Sequence, residues 1–336
     1  MGISTNKPIP LTGSIVRRLV PGLLFGFFVL LALALVSDLR QVGQAILKFD
    51  WRIFPLALLF TLFNYTLRFI KWHYYLGQIG IKGISKRESL RLFVGGFPLA
   101  VTPGKVGEAL KGIWLNQTSG MPVGRGISVV VAERISDGLA VLALSTLGVI
   151  AYPRYWPAFL IVLILLLGVI VLSQIRPAAL WLLSFGERIP LVKRFVSGLR
   201  EFYEGSFTLF RPLPTFFAVG LGTVSWLGEG IGFYFILKGL GLPDTSRLLV
   251  TAVFVLSFST VVGAVSALPG GLGAAEVSIA GMLTLLMQIE PSIATTATLL
   301  IRLATLWFGV LLGLLVWLFS PDLIGLRTTH EPVSES

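Results

Sequence analysis

Residues 19 to 36 form a run without one charged side chain. A helix of that length is about 27 Å long, close to the ~30 Å hydrocarbon core of a bilayer. Similar apolar runs recur through the chain. Lipid cannot hydrogen-bond a backbone, so segments of this kind must satisfy their own N–H and C=O groups, and at about 20 residues they do so as helices. The sequence predicts an all-α integral membrane protein. About six full transmembrane helices are expected, over approximately 19–36, 52–76, 126–150, 156–175, 213–237 and 294–319. Lys7, Arg17 and Arg18 precede the first run as in a signal peptide, and "ALA" at 32–34 resembles a cleavage site. That tripeptide lies inside the apolar run and more spans follow, so an uncleaved first helix is expected.

Two further apolar stretches, 88–116 and 246–289, are interrupted by related breaks: "VTPGKVGEALKG" at 101–112 and "ALPGGLGAAEVS" at 267–278. The first has only ten uncharged residues before its Pro-Gly ("LFVGGFPLAV"), too few to span. A re-entrant hairpin is expected there, buried in protein or lining a wet cavity. In the second, 248–267 is uncharged and long enough to cross, so both a hairpin and a full span stay open.

Charge orients the spans. With the N-terminus inside, the cytoplasmic segments hold 16 Lys and Arg and the opposite segments hold 6. This is the positive-inside bias, and it predicts cytoplasmic termini in a cell (plasma or inner) membrane. It also accounts for the net charge of +11 through contact with anionic headgroups, without nucleic acid. The absence of cysteine and the presence of two histidines, His73 and His330, argue against disulfides and a thiolate or histidine metal cluster, and no cofactor is expected.

The two halves repeat one plan: a span, a Pro-Gly hairpin, then a span carrying an arginine. The separation from Glu108 to Arg134 is 26 residues, as is that from Glu276 to Arg302. The charge-derived topology points the first span of each half in opposite directions. An inverted repeat with broken helices is a transporter plan, with its site near midplane between the halves. The expected organisation is a cytoplasmic segment 1–18, a membrane domain 19–320 with halves of about 52–150 and 213–319, and a disordered cytoplasmic tail 321–336. The halves are joined through an amphipathic segment, 176–211.

Asn64, Arg68 and Trp72, then "PGKVGE" (103–108), "ERISD" (133–137) and "PGGLGAAE" (269–276), resemble the flippase-like membrane family typified by the lysylphosphatidylglycerol synthase transmembrane region. The resemblance covers roughly 20–320. It implies a membrane region that moves aminoacylated phosphatidylglycerol between leaflets, with relatives linked to polyprenol- or dolichol-linked sugars. The large aminoacyl-transferase domain has no counterpart here, so synthesis of lysyl-lipid is not implied. The family pattern often shows arginine where this chain has Lys105 or Lys111.

Ten ionisable residues fall at membrane depth: Arg68, Lys105, Lys111, Arg134, Arg302, Glu108, Glu133, Asp137, Glu229 and Glu276. Each centred charge costs at least about 2.5–3.5 kcal/mol on insertion scales, so pairing or a polar path is expected. Glu133, Arg134 and Asp137 share one helical face, where a structural salt bridge and a substrate role are equally favoured. Thr102-Pro103 reads as a cap followed by the first helical residue, which would start a half-helix whose free N–H groups favour an anion. Lys105 in that first turn, pairing with Glu108 or meeting a lipid phosphate, makes 102–108 the expected headgroup site.

The expected headgroup-binding set is thus Thr102, Gly104, Lys105, Glu108, Lys111, Arg134, Gly270, Gly271, Glu276 and Arg302. Glu133, Asp137, Glu229 and Arg68 are expected in ion pairs or coupling, with Glu229 a candidate proton carrier. Arg68, Lys71, Trp72, Tyr74 and Tyr75 also fit a simple interfacial anchor. The function expected is that of a lipid transporter or flippase, not an enzyme, moving an anionic phospholipid or polyprenyl-phosphate-linked lipid. The alternative is a membrane partner or subunit of a lipid-modifying enzyme. Membrane lipids are the expected partners, with a lipid-modifying enzyme or further copies of the chain as additional ones.

Overall fold

A computed structural model describes residues 12–102, 107–151, 156–186 and 190–324. All regular structure among them is helical. The helices are α1 (Thr12–Val36), α2 (Leu39–Lys48), α3 (Phe54–Gln78), α4 (Lys86–Gly95), α5 (Leu110–Ser119), α6 (Val123–Ala151) and α7 (Trp156–Gln174). There follow α8 (Arg176–Gly186), α9 (Pro190–Leu209), α10 (Pro212–Gly239), α11 (Ser246–Val265), α12 (Ala274–Met287), α13 (Pro291–Arg302) and α14 (Phe308–Phe319). A π-helical stretch, Leu303–Trp307, joins the last two into one 29-residue rod.

Among the described residues five helical segments are long and apolar enough to cross a bilayer, six if the bent α7–α8 pair is one broken span. The 25-residue α3 and 29-residue α6 also have the length but carry the buried charges. The two broken stretches differ. The arms of the first, α4 and α5, have 10 residues each, about 15 Å and half a bilayer core. In the second, α11 has 20 residues and the segment 269–287 has 19, so each is long enough to span. The reason is local: Arg91 and Pro98 truncate the first apolar stretch, whereas nothing interrupts 248–267.

Three contact patterns relate the halves. α3 packs along α10, α5 on α6 as α12 on α13, and α6 on α11 as α14 on α4. Phe60 stacks on Phe235 while Tyr74 meets Phe217, so α3 and α10 run antiparallel. A repeat related by an axis along the membrane normal would set them parallel, so the halves are inverted.

Close packing in lipid rests on small residues, because apolar burial drives nothing there. On α10, Gly222 faces Ala140 of α6, while Gly228 and Gly232 admit Phe63 and Phe60 of α3. On α14 a Cβ at Gly313 would lie 2.2 Å from Pro98 Cδ and 2.8 Å from the Val94 carbonyl.

The connector 176–211 forms two helices, and α9 packs lengthwise on α6. Gly124 lies against Gly198, Ser128 against Gly205, and Arg125 pairs with Glu201 at 2.6 Å. The expected tail needs correction at its start. Pro321–Ile324 is a 3-10 turn with Leu323 buried, and Asp322 accepts two bonds from Arg91 at 2.8 and 2.7 Å. The tail expectation for 325–336 lies outside the described residues, and the expected N-terminal segment already turns helical at Thr12.

Gly313→Val should therefore destabilise the protein by about 1–3 kcal/mol, because rigid backbone and proline atoms cannot yield. Gly220→Ala, which meets nothing within 4 Å, should be neutral or stabilising by up to about 1 kcal/mol. Thermal unfolding in detergent measures both.

Candidate functional site

The face of α3 that turns inward carries Thr61, Asn64, Arg68, Lys71, Trp72 and Tyr75, a three- and four-residue rhythm. Arg68 Nη2 donates to Glu133 Oε1 at 2.7 Å, and its Nε lies 3.4 Å from Asp137 Oδ2. Lys71 Nζ donates to Asp137 Oδ1. Lys111 of α5 lies 3.7 Å from Glu133 Oε2 and 5.0 and 5.3 Å from the ring centres of Trp72 and Phe93. Three cations thus share two carboxylates at the junction of α3, α5 and α6.

This corrects two expectations. Lys71 and Trp72 are fully buried and Tyr75 nearly so, so this end of α3 is packed in protein and is not an interfacial belt. Arg134 does not pair along its own helix. Its Nε and Nη2 donate to the two oxygens of Glu108 at 2.8 and 2.9 Å. Glu133 and Asp137 instead meet the cations of the neighbouring helices, Arg68 and Lys71 of α3 and Lys111 of α5.

The second half contains the equivalent pair. Arg302 Nε lies 2.6 Å from Glu276 Oε1. The N–H does not point along that line, so the contact is an ion pair without a hydrogen bond. Arg302 Nη2 does donate to the Gly270 carbonyl at 3.1 Å, and Glu276 Oε2 accepts from Gly273 N–H at 2.7 Å. Gly270, Gly271 and Gly273 all have positive φ, which lets the chain fold back tightly before α12. Both ion pairs therefore close a broken hairpin onto the following helix, over the same sequence separation.

In the first hairpin Thr102 closes the loop. Its hydroxyl donates to the Leu99 carbonyl at 2.6 Å and accepts from Gly107 N–H at 2.9 Å. The expected helix start at Pro103, with Gly104 and Lys105, lies outside the described residues; the described helix begins at Leu110, after a turn containing Glu108.

Where the two breaks meet, a cavity of about 160 Å³ opens. Arg68, Lys111, Arg134 and Arg302 line it, together with Glu229, Gly270 and Gly271. Tyr65 and Trp226 also face it. Tyr65 donates to the Thr305 carbonyl at 2.8 Å, in the π stretch beside Arg302, and the buried Trp226 Nε1 has no partner. A π-helical turn leaves a carbonyl for an outside donor, and such turns cluster at functional sites. Among the described residues no group of His, Cys, Asp and Glu is placed to hold a metal.

Replacing Arg134 with Ala leaves Glu108 buried and unpaired, which should cost about 3–5 kcal/mol. The double variant with Glu108→Gln should be milder than the single, and Arg302→Ala should behave as its counterpart with Glu276. Melting temperatures of the purified variants decide it: equal melting of wild type and both single variants would mean that water already solvates these pairs.

The chain matches the pattern of the "Lysylphosphatidylglycerol synthase TM region" over residues 21–313. It is 29% identical over 317 residues to a UPF0104 membrane protein of Methanothermobacter thermautotrophicus, covering 86% of this chain and 90% of that one. A UPF0104 membrane protein of Pyrococcus horikoshii is 24% identical over 319 residues, 87% of this chain and 94% of the relative. This protein is a membrane protein and belongs to the lysylphosphatidylglycerol synthase TM region family.

Proposed function

We propose that the protein moves a lipid with an anionic, phosphate-bearing headgroup between leaflets. The observation that carries this reading is the cavity between the inverted halves, with four cations and one acid on its wall. Guanidinium forks match phosphate oxygens two at a time, and a lysine adds a point charge. The glycine backbone at 270–271 gives a headgroup close approach without a side chain in the way. The outer surfaces of α1, α7 and α14 present exposed apolar side chains, suited to acyl chains left in the bilayer. Inverted repeats about such a site support alternating access by rocking one half against the other.

Transport is favoured over catalysis by the state of the acids. Glu108, Glu133, Asp137 and Glu276 are each held by a cation, which leaves Glu229 as the one acid on the cavity wall outside an ion pair among the described residues. Acid–base catalysis needs side chains positioned to give or take a proton, and the cavity wall offers one such acid. The positive-inside bias supports a plasma or inner membrane with cytoplasmic termini.

Proteoliposomes with fluorescent phosphatidylglycerol or phosphatidylcholine, scored by quenching of the outer leaflet, test the proposal. The protein should speed transfer of the phosphatidylglycerol label at least about tenfold over empty liposomes and leave phosphatidylcholine near background, since one charge contact is worth on the order of 1.4 kcal/mol or more. Equal transfer of both labels, or of neither, contradicts it.

A further inference from the structure

Glu229 stands apart from every other buried acid. It is 5% exposed and lines the cavity, and no described cation lies within ion-pair distance. Among the described residues its one hydrogen-bond partner is the Asn64 amide, 3.4 Å away. From α3, Arg68 and Tyr65 face it across the cavity; from α13, Arg302 does; from α6, Asp137 opposes them at longer range. α11 packs against the neighbouring Gly230 through the apolar Val253.

Among the described residues the charges at the site do not balance without it. Arg68, Lys71 and Lys111 are buried cations and Arg134 and Arg302 partly buried ones, five in all, against four paired acids: Glu108, Glu133, Asp137 and Glu276. Among the described residues an ionised Glu229 makes the empty site neutral. An anion admitted beside Arg68 and Arg302 takes over that field and leaves Glu229 as an excess negative charge in a low-dielectric site. Excess charge there is relieved by protonation.

Asn64 is fully buried, and its carbonyl Oδ1 has no hydrogen-bond partner. Its amide nitrogen lies 3.4 Å from both Ser225 Oγ and Glu229 Oε2. An ionised carboxylate only accepts, so it cannot use that orphaned oxygen. A protonated carboxyl can donate to it once the amide turns over. The pair Asn64–Glu229 is thus built with a hydrogen bond that only the protonated acid can complete.

We propose that Glu229 takes up one proton for each anionic headgroup admitted to the cavity, so that lipid phosphate and proton move together as a neutral unit. The proton leaves bulk water and resides on the Glu229 carboxyl, hydrogen-bonded to Asn64. No bond to the lipid forms or breaks. This rests on the reading of the cavity as an anionic-headgroup site.

Calorimetric titration of the detergent-purified protein with dihexanoylphosphatidylglycerol, in buffers of different ionisation enthalpy, counts the protons directly. About one proton per bound lipid is expected, and affinity should fall about tenfold per pH unit over the interval where only the empty site is ionised. Glu229→Gln should bind the same lipid with no proton uptake and a flat pH profile, while Glu229→Asp keeps the uptake. Wild-type binding without proton uptake, or uptake undiminished in Glu229→Gln, overturns the inference and leaves the headgroup site standing. If phosphatidylglycerol binds no better than dihexanoylphosphatidylcholine, the headgroup site itself fails and the proton link falls with it. Should Glu229→Gln not fold, the wild-type proton count decides alone.

Discussion

Arg68 of α3 reaches both Glu133 and Asp137 of α6, and the arrangement of the other helices follows from that contact. Two carboxylates on one membrane helix are intolerable alone, each costing several kcal/mol in hydrocarbon. Lys71 and Lys111 join Arg68 on the two carboxylates, leaving one positive charge in excess, and they reach them only if α3 and α5 both lie against α6. The glycine stripe of α10 then lets that helix approach α3 and α6 together. In lipid, where burial of apolar surface gives no preference between helix faces, buried ion pairs and small-residue contacts together select the register. A buried pair of this kind adds little net stability, but a partner left unpaired is strongly destabilising, so the wrong assembly is penalised.

The same charges shape the site. Each hairpin is closed onto its following helix by an ion pair, Glu108–Arg134 in one half and Glu276–Arg302 in the other, and each arginine still faces the cavity. Structural and ligand roles are therefore not alternatives here. An arginine held by one carboxylate retains donors for a second acceptor, and the fork geometry presents them in a fixed direction. At the π stretch beside Arg302 and the positive-φ glycines 270 and 271 the backbone departs from regular helix, and both border the cavity.

Much of the fold was legible in sequence because apolar run length and charge bias act on single segments. The identical separation of Glu108–Arg134 and Glu276–Arg302 also announced the repeat, since an ion pair that closes a hairpin needs a constant loop. Partner choice was not legible. Glu133, Arg134 and Asp137 share a helix, and proximity along the chain favoured pairing among them, whereas the structure sends the acids to α3 and α5 and the arginine to Glu108. Lys71 read as an interfacial anchor because it lies near the end of an apolar run. The signal that places it inside was its spacing from Asn64 and Arg68, which sets all three on one face of α3. Helix-to-helix distance is a tertiary quantity that no window of sequence contains.

Alternating access at this cavity requires the two broken hairpins to approach it from opposite membrane faces. The chain has no native cysteine, so single cysteines introduced at the exposed Gln117, in the last turn of α5, and Gln288, in the α12–α13 turn, report their sides without background. Labelling of sealed, uniformly oriented vesicles with a membrane-impermeant maleimide is the most direct measurement. The inverted arrangement predicts that one position labels only from inside and the other only from outside. Labelling of both positions from the same side would contradict it.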